Sequence, residues 1–97
     1  MLAITQILNQ PAPTTITVFV QGSRPTDDTH WLVLKLIDPP GVDKVIVKLP
    51  ADSSVPGQIN VSASRLTSGK PAFVSLAFTK ANGTEVEGSN VASIVPQ

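Results

Sequence analysis

The chain has no cysteine, no tyrosine, one tryptophan and one histidine in 97 residues. Without cysteine there are no disulfides and no thiolate metal ligands, so stability has to come from apolar packing, and the redox compartment leaves no trace. The lone histidine, His30, cannot build a multi-histidine metal site, and no serine stands beside it as a defined nucleophile, so a triad lacks parts. Charge of either sign is scarce: seven basic and seven acidic residues cancel to a formal net charge of zero. That removes the long-range field by which nucleic-acid binders gather phosphates, and DNA and RNA are not expected partners. Long hydrophobic runs are missing too. No stretch approaches the roughly 20 apolar residues of a membrane span, and Met1-Leu2-Ala3-Ile4 has neither the basic start nor the apolar length of a secretory signal. A soluble chain with no membrane partner and no standard export signal is the expectation.

What is present points to strands. Nine prolines, six glycines and many Thr, Ser and Val, with few strong helix formers, predict an all-β protein, and the length allows one domain. The chain is organised around Trp31-Leu32-Val33-Leu34-Lys35-Leu36-Ile37. In an extended strand Leu32, Leu34 and Leu36 share one face and Trp31, Val33 and Ile37 the other, so both faces need cover. Upstream, residues 15–21 alternate with Ile16, Val18 and Val20 on one side, and 22–29 reads as a polar loop. Downstream, Asp38-Pro39-Pro40-Gly41 predicts a turn, and 44–49 a strand in which Val45, Val47 and Leu49 alternate with Lys44, Ile46 and Lys48. Residues 58–65 place Ile59, Val61 and Ala63 inward. Strand 73–81 carries Val74, Leu76 and Phe78 on one face and Phe73, Ser75, Ala77 and Thr79 on the other. Asn82-Gly83 predicts a two-residue hairpin turn, both residues tolerating positive φ, and 91–95 the returning strand.

Residues 1–10 are ambiguous. Ile4, Ile7 and Leu8 fall at helical spacing in a segment too short to be a stable helix. Pro11-Ala12-Pro13 separates them from the first clear strand. They are either an N-terminal docking arm or the first strand of the domain that occupies 11–97. Six strands, or seven with this one, at short regular spacing predict a single antiparallel β-sandwich.

The order of these signals resembles the fibronectin type III domain, an immunoglobulin-like sandwich. The resemblance is carried by Pro11-Ala12-Pro13 before Ile16-Thr17-Val18, by Leu36-Ile37-Asp38-Pro39-Pro40-Gly41 followed by Val45-Ile46-Val47, by Leu66-Thr67-Ser68-Gly69 before Val74, Leu76 and Phe78, by Ala81-Asn82-Gly83, and by Ser89-Asn90-Val91. It spans most of residues 11–95. The chain departs from the family pattern in placing its tryptophan at the start of the strand and in lacking the tyrosine of the tyrosine corner. The resemblance implies a seven-strand fold and no function of its own.

Candidate sites are few. His30 beside Asp27 and Asp28 invites a catalytic reading, but as a loop-to-strand boundary it needs no chemistry. Asp27, Asp28, Asp38, Asp43, Asp52, Glu85 and Glu87 sit in or near loops that a calcium site draws on, without the spacing of a calcium loop. Asn60-Val61-Ser62 and Asn82-Gly83-Thr84 match the glycosylation acceptor pattern, and without a secretory signal they are expected to be no more than a strand residue and a turn. Sugar binding needs exposed aromatic platforms, and a core of this size is expected to claim most of Trp31, Phe19, Phe73 and Phe78. The function that remains is a non-enzymatic structural or protein-binding module without cofactor or metal, monomeric by itself and partnered with another protein or a larger assembly. Expected settings are an accessory, decoration-type protein of a bacteriophage particle at the virion surface, or an extracellular carbohydrate-binding or adhesion module of a bacterial protein. The residues expected to meet a partner are Leu2, Ile4, Ile7, Leu8 and Trp31. If Trp31 is core, its truncation to alanine costs about 3–5 kcal/mol; a loss under about 1 kcal/mol places it at the surface.

Overall fold

A computed structural model describes residues 1–11, 14–38, 42–51, 55, 57–62, 66 and 69–95, with the side chains of 11, 14, 38, 42 and 43 excepted. The expected break at Ala12-Pro13, the turn at Pro39-Pro40-Gly41, the strand end at 63–65, Thr67-Ser68 and the carboxylates of Asp38, Asp43 and Asp52 lie outside the described residues.

The chain forms seven strands: β1 (Ala3–Pro11), β2 (Thr14–Gln21), β3 (Thr29–Asp38), β4 (Val42–Pro50), β5 (Gln58–Ser62), β6 (Ala72–Lys80) and β7 (Glu85–Ile94). They make two antiparallel sheets, ordered β1-β2-β5 and β4-β3-β6-β7. The alternating apolar residues meet between the sheets: Ile16, Val18 and Val20 from β2 and Ile59 and Val61 from β5 face Leu32, Leu34 and Leu36 from β3 and Val74, Leu76 and Phe78 from β6. Removing these side chains from water is the main stabilising term, at about 1.5–3 kcal/mol for each fully buried one.

Residues 1–10 are accounted for by β1, which pairs with β2 from Ala3 to Pro11. Leu2 and Ile4, candidates for partner contact, are buried in the core, and Ile7 packs against it. The helical spacing of Ile4 and Ile7 has a different cause. The register shifts between Ile4 and Gln6, so Thr5 is an extra residue, and this bulge lets two positions three apart share the inner face of a strand. Leu8 remains half-buried on the outer face, opposite Thr17.

The same device corrects β4. Leu34 pairs with Val47 but Lys35 with Val45, leaving Ile46 as the inserted residue. Ile46 is buried, Val47 and Leu49 pack against the core beside it, and Val45 is turned outward. Strict alternation groups Val45 with Val47 and sets Ile46 apart, and the inserted residue is why it fails here.

The β6–β7 hairpin also differs from expectation. Among the described residues only glycines have positive φ, so Asn82 does not adopt it, whereas Gly83 does at 89°. The Gly83 N–H donates to the Lys80 carbonyl and the Lys80 N–H to the Thr84 carbonyl, both at 2.9 Å. Ala81-Asn82-Gly83 is therefore a three-residue loop that ends on a left-handed glycine. β7 starts at Glu85 rather than at 91. Two register shifts interrupt its pairing with β6, and at one of them the Leu76 N–H donates to the Ser89 hydroxyl at 2.8 Å in place of a ladder carbonyl.

Candidate functional site

The outer face of β4-β3-β6-β7 is the surface that chain order alone does not explain. The registers align four rows across it: Ile37, Phe73 and Ser93; then Val45, Lys35, Ser75 and Val91; then Lys48, Val33, Ala77 and Gly88; then Pro50, Trp31, Thr79 and Glu85. The middle of the face is made of small or β-branched residues. Val33, Ser75, Ala77 and Thr79 are buried although they point away from the core, because longer neighbours lean over them.

Those neighbours form the rim of a depression of about 360 Å³ next to the hairpin tip. Trp31 is half-buried, and the Lys48 ammonium stands 4.2 Å from the centroid of its ring. Such a contact gives roughly 0.5–1 kcal/mol at an exposed position. On the other side Lys35 reaches Glu85 at 3.1 Å. Gly88 permits this, since the Glu85 carboxylate lies 3.3 Å from where a Cβ on residue 88 would be. Val45, which lines the depression, is 51 % exposed, and Phe73 at 41 % and Val91 at 56 % stay exposed on the same face outside its lining. Large apolar groups gathered on one sheet face are a recognised mark of an interaction surface.

Of the four aromatic rings only Phe78 is fully buried; Phe19 and Trp31 are half-buried and Phe73 is exposed. The core therefore does not claim most of them. Apolar aliphatic residues fill it, and Trp31 faces outward because its strand parity is opposite to that of Leu32 and Leu34.

The other candidates are dispersed. His30 is the extra residue of a bulge between Thr29 and Trp31, with Nδ1 3.1 Å from the Asp28 carbonyl oxygen. Asp28 accepts from the Thr26 hydroxyl and pairs with Lys80 at 3.3 Å. The hydroxyl first, and Lys80 after it, hold its carboxyl below the ordinary aspartate value. Asp27 faces Arg24 at 3.6 Å. Glu85 is bound to Lys35, and Glu87 accepts the Leu2 N–H at 2.6 Å. Among the described residues no three His, Cys, Asp or Glu side chains come together as a metal site. Asn60 accepts the Thr17 hydroxyl at 2.8 Å, and Asn82 caps its own turn by accepting the Thr84 N–H at 3.0 Å.

Sequence reasoning singles out Trp31 and misses Val45, Lys48, Phe73 and Val91. The outward parity of Phe73, Ser75, Ala77 and Thr79 is visible in the alternation, but the bulge that brings Val45 to the same face is not. Comparison with known proteins finds no matching family model, no matching curated protein and no matching solved structure.

Proposed function

We propose that this chain is a non-enzymatic protein-binding module of the immunoglobulin-like, fibronectin type III-like kind, and that it binds through the outer face of β4-β3-β6-β7. The observation that carries the reading is that Val45, Phe73 and Val91 are all exposed on this one sheet face, where Val45 and half-buried Trp31 also line a depression. Strand order supports the family assignment. In the constant-type immunoglobulin domain the fourth strand joins the sheet of the first, second and fifth, giving ABED and CFG. Here the fourth strand pairs with the third instead, which leaves three strands facing four. The missing tyrosine and the displaced tryptophan remain departures from the family. The setting we propose is an accessory role on a larger protein assembly, with a bacteriophage particle as the case in view. A sheet face with exposed apolar side chains on a small domain of zero net charge is suited to lying against a host surface.

The test is to pan a random-peptide display library against the wild-type chain and against a Val45→Glu, Phe73→Glu double variant. Binders that select on the wild type, fail on the variant and slow amide exchange in β3 and β6 are the expected result. Binders equally retained by the variant would overturn the choice of face.

Trp31 at the rim of a depression favours one second reading, a carbohydrate-binding module. Against it, Lys48 already occupies the ring face on which a sugar would stack. Glycan-array binding with quenching of Trp31 fluorescence by the same sugar would reverse the preference.

A further inference from the structure

The two lysines that line the depression differ in their partners. Lys35 is tied to Glu85 at 3.1 Å. Lys48 touches the Trp31 ring and no carboxylate among the described residues. The ammonium therefore stands at the rim of an apolar hollow floored by Val33 and Ala77, with no carboxylate partner among the described residues. From this geometry we infer that the depression takes a segment of a partner protein presenting a carboxylate next to a bulky apolar side chain. The apolar group sits on Val33 and Ala77 against Trp31, and the carboxylate takes Lys48. The inference rests on the protein-binding reading above and specifies what is bound.

Size argues for a segment and against a second copy of the chain. Four strands about 4.8 Å apart and ten residues long present roughly 600 Å² of flat area. A stable pair of proteins buries about 600–1,000 Å² from each partner, so the whole of this face would reach only the lower end of that range. The hollow itself, about 360 Å³, falls in the range of clefts that hold one ligand group. Glu85 on β7 also sets a direction: the carboxylate belongs on the β4 side of the face, away from that acid.

The probes are three blocked tripeptides, acetyl-Leu-Glu-Phe-amide and its Gln and Lys counterparts, titrated against the fluorescence of Trp31. Exposed charge pairs give small preferences, so the Glu peptide should bind about threefold to fivefold tighter than the Gln peptide, with the Lys peptide weakest. Raising salt should shrink the difference. Lys48→Glu should reverse the order, and Lys48→Gln should abolish it, both with a fall in melting temperature of no more than about 4–8 °C, the loss of the Trp31 contact included. Equal binding of all three peptides would overturn the charge inference and leave the apolar binding face standing. No fluorescence response to any of them at millimolar concentration would also overturn it, while the display experiment still decides whether the face binds protein at all.

Discussion

The side-chain amide of Asn90 on β7 makes both main-chain hydrogen bonds of Ile4 on β1. The Ile4 N–H donates to Oδ1 at 2.8 Å, and Nδ2 donates to the Ile4 carbonyl at 3.1 Å. Glu87 accepts the Leu2 N–H, and Asn9 donates to the Val95 carbonyl at 3.0 Å. Side chains thus stand in for a neighbouring strand along the outer edge of β1, where the two sheets meet, and this edge is closed to stray pairing.

Asn90→Ala removes both bonds and leaves the polar atoms of a buried residue without partners. The expected loss is about 1–3 kcal/mol, read by urea unfolding, together with faster exchange of the Ile4 amide. Unchanged protection of that amide would mean that water replaces the carboxamide without loss.

Gly22 is held at φ 149°, where a Cβ would lie 2.9 Å from the Cα of Leu2 and from the carbonyl oxygen of Met1. Gly22→Ala should therefore cost about 2 kcal/mol through backbone strain and displacement of the N-terminal residues. Gly57, with nothing within 4 Å of its virtual Cβ, is the control. Gly57→Ala should stay within about 0.5 kcal/mol of wild type.

Phe78 and Trp31 lie on opposite faces of one sheet and should respond differently to truncation. Phe78 is fully buried, and Phe78→Ala should cost about 3–5 kcal/mol. Trp31→Ala loses the Lys48 contact and part of the cover over Val33, for about 1 kcal/mol. Equal losses in denaturant unfolding would place Trp31 in the core after all.

Deleting residues 1–10 strips two buried side chains, Leu2 and Ile4, and one strand of a three-stranded sheet. At about 1.5–3 kcal/mol for each side chain the melting temperature should fall by about 15 °C or more. A small drop in a thermal scan would mean that β1 is dispensable and free to dock elsewhere.

The depressed carboxyl of Asp28 makes a signed prediction about pH. A group whose folded value lies below its unfolded one contributes stability that is present above the unfolded value and lost as pH falls through the folded one. Acid should therefore weaken the tie between the β2–β3 loop and Lys80, and Asp28→Asn should remove that part of the pH dependence. Thr26→Val and Lys80→Met should each raise the Asp28 midpoint in an NMR titration, since each removes a cause of the depression. An unmoved midpoint in either variant would remove that residue as a support.

Much of the architecture was legible in residue order. Ile16, Val18 and Val20, Leu32, Leu34 and Leu36, and Val74, Leu76 and Phe78 alternate without interruption, and all nine face the core. A period of two is a local property of extended backbone, so burial on one face is written directly into the string. The absence of cysteine and the balance of charge likewise bound the chemistry before any coordinate is known.

Tertiary structure decided what happens where one residue is inserted. Bulges at Thr5, His30 and Ile46 and the two shifts along β7 each reverse the parity of the strand residues beyond them. They explain why β1 mimicked helical spacing, why Val45 faces out, and why Glu85-Val86-Glu87-Gly88-Ser89-Asn90 did not read as a strand. The candidate site depends on the same events. Trp31, Lys48, Ala77 and Glu85 come from four strands, and their meeting is set by register, a long-range relation between backbones that no single segment encodes.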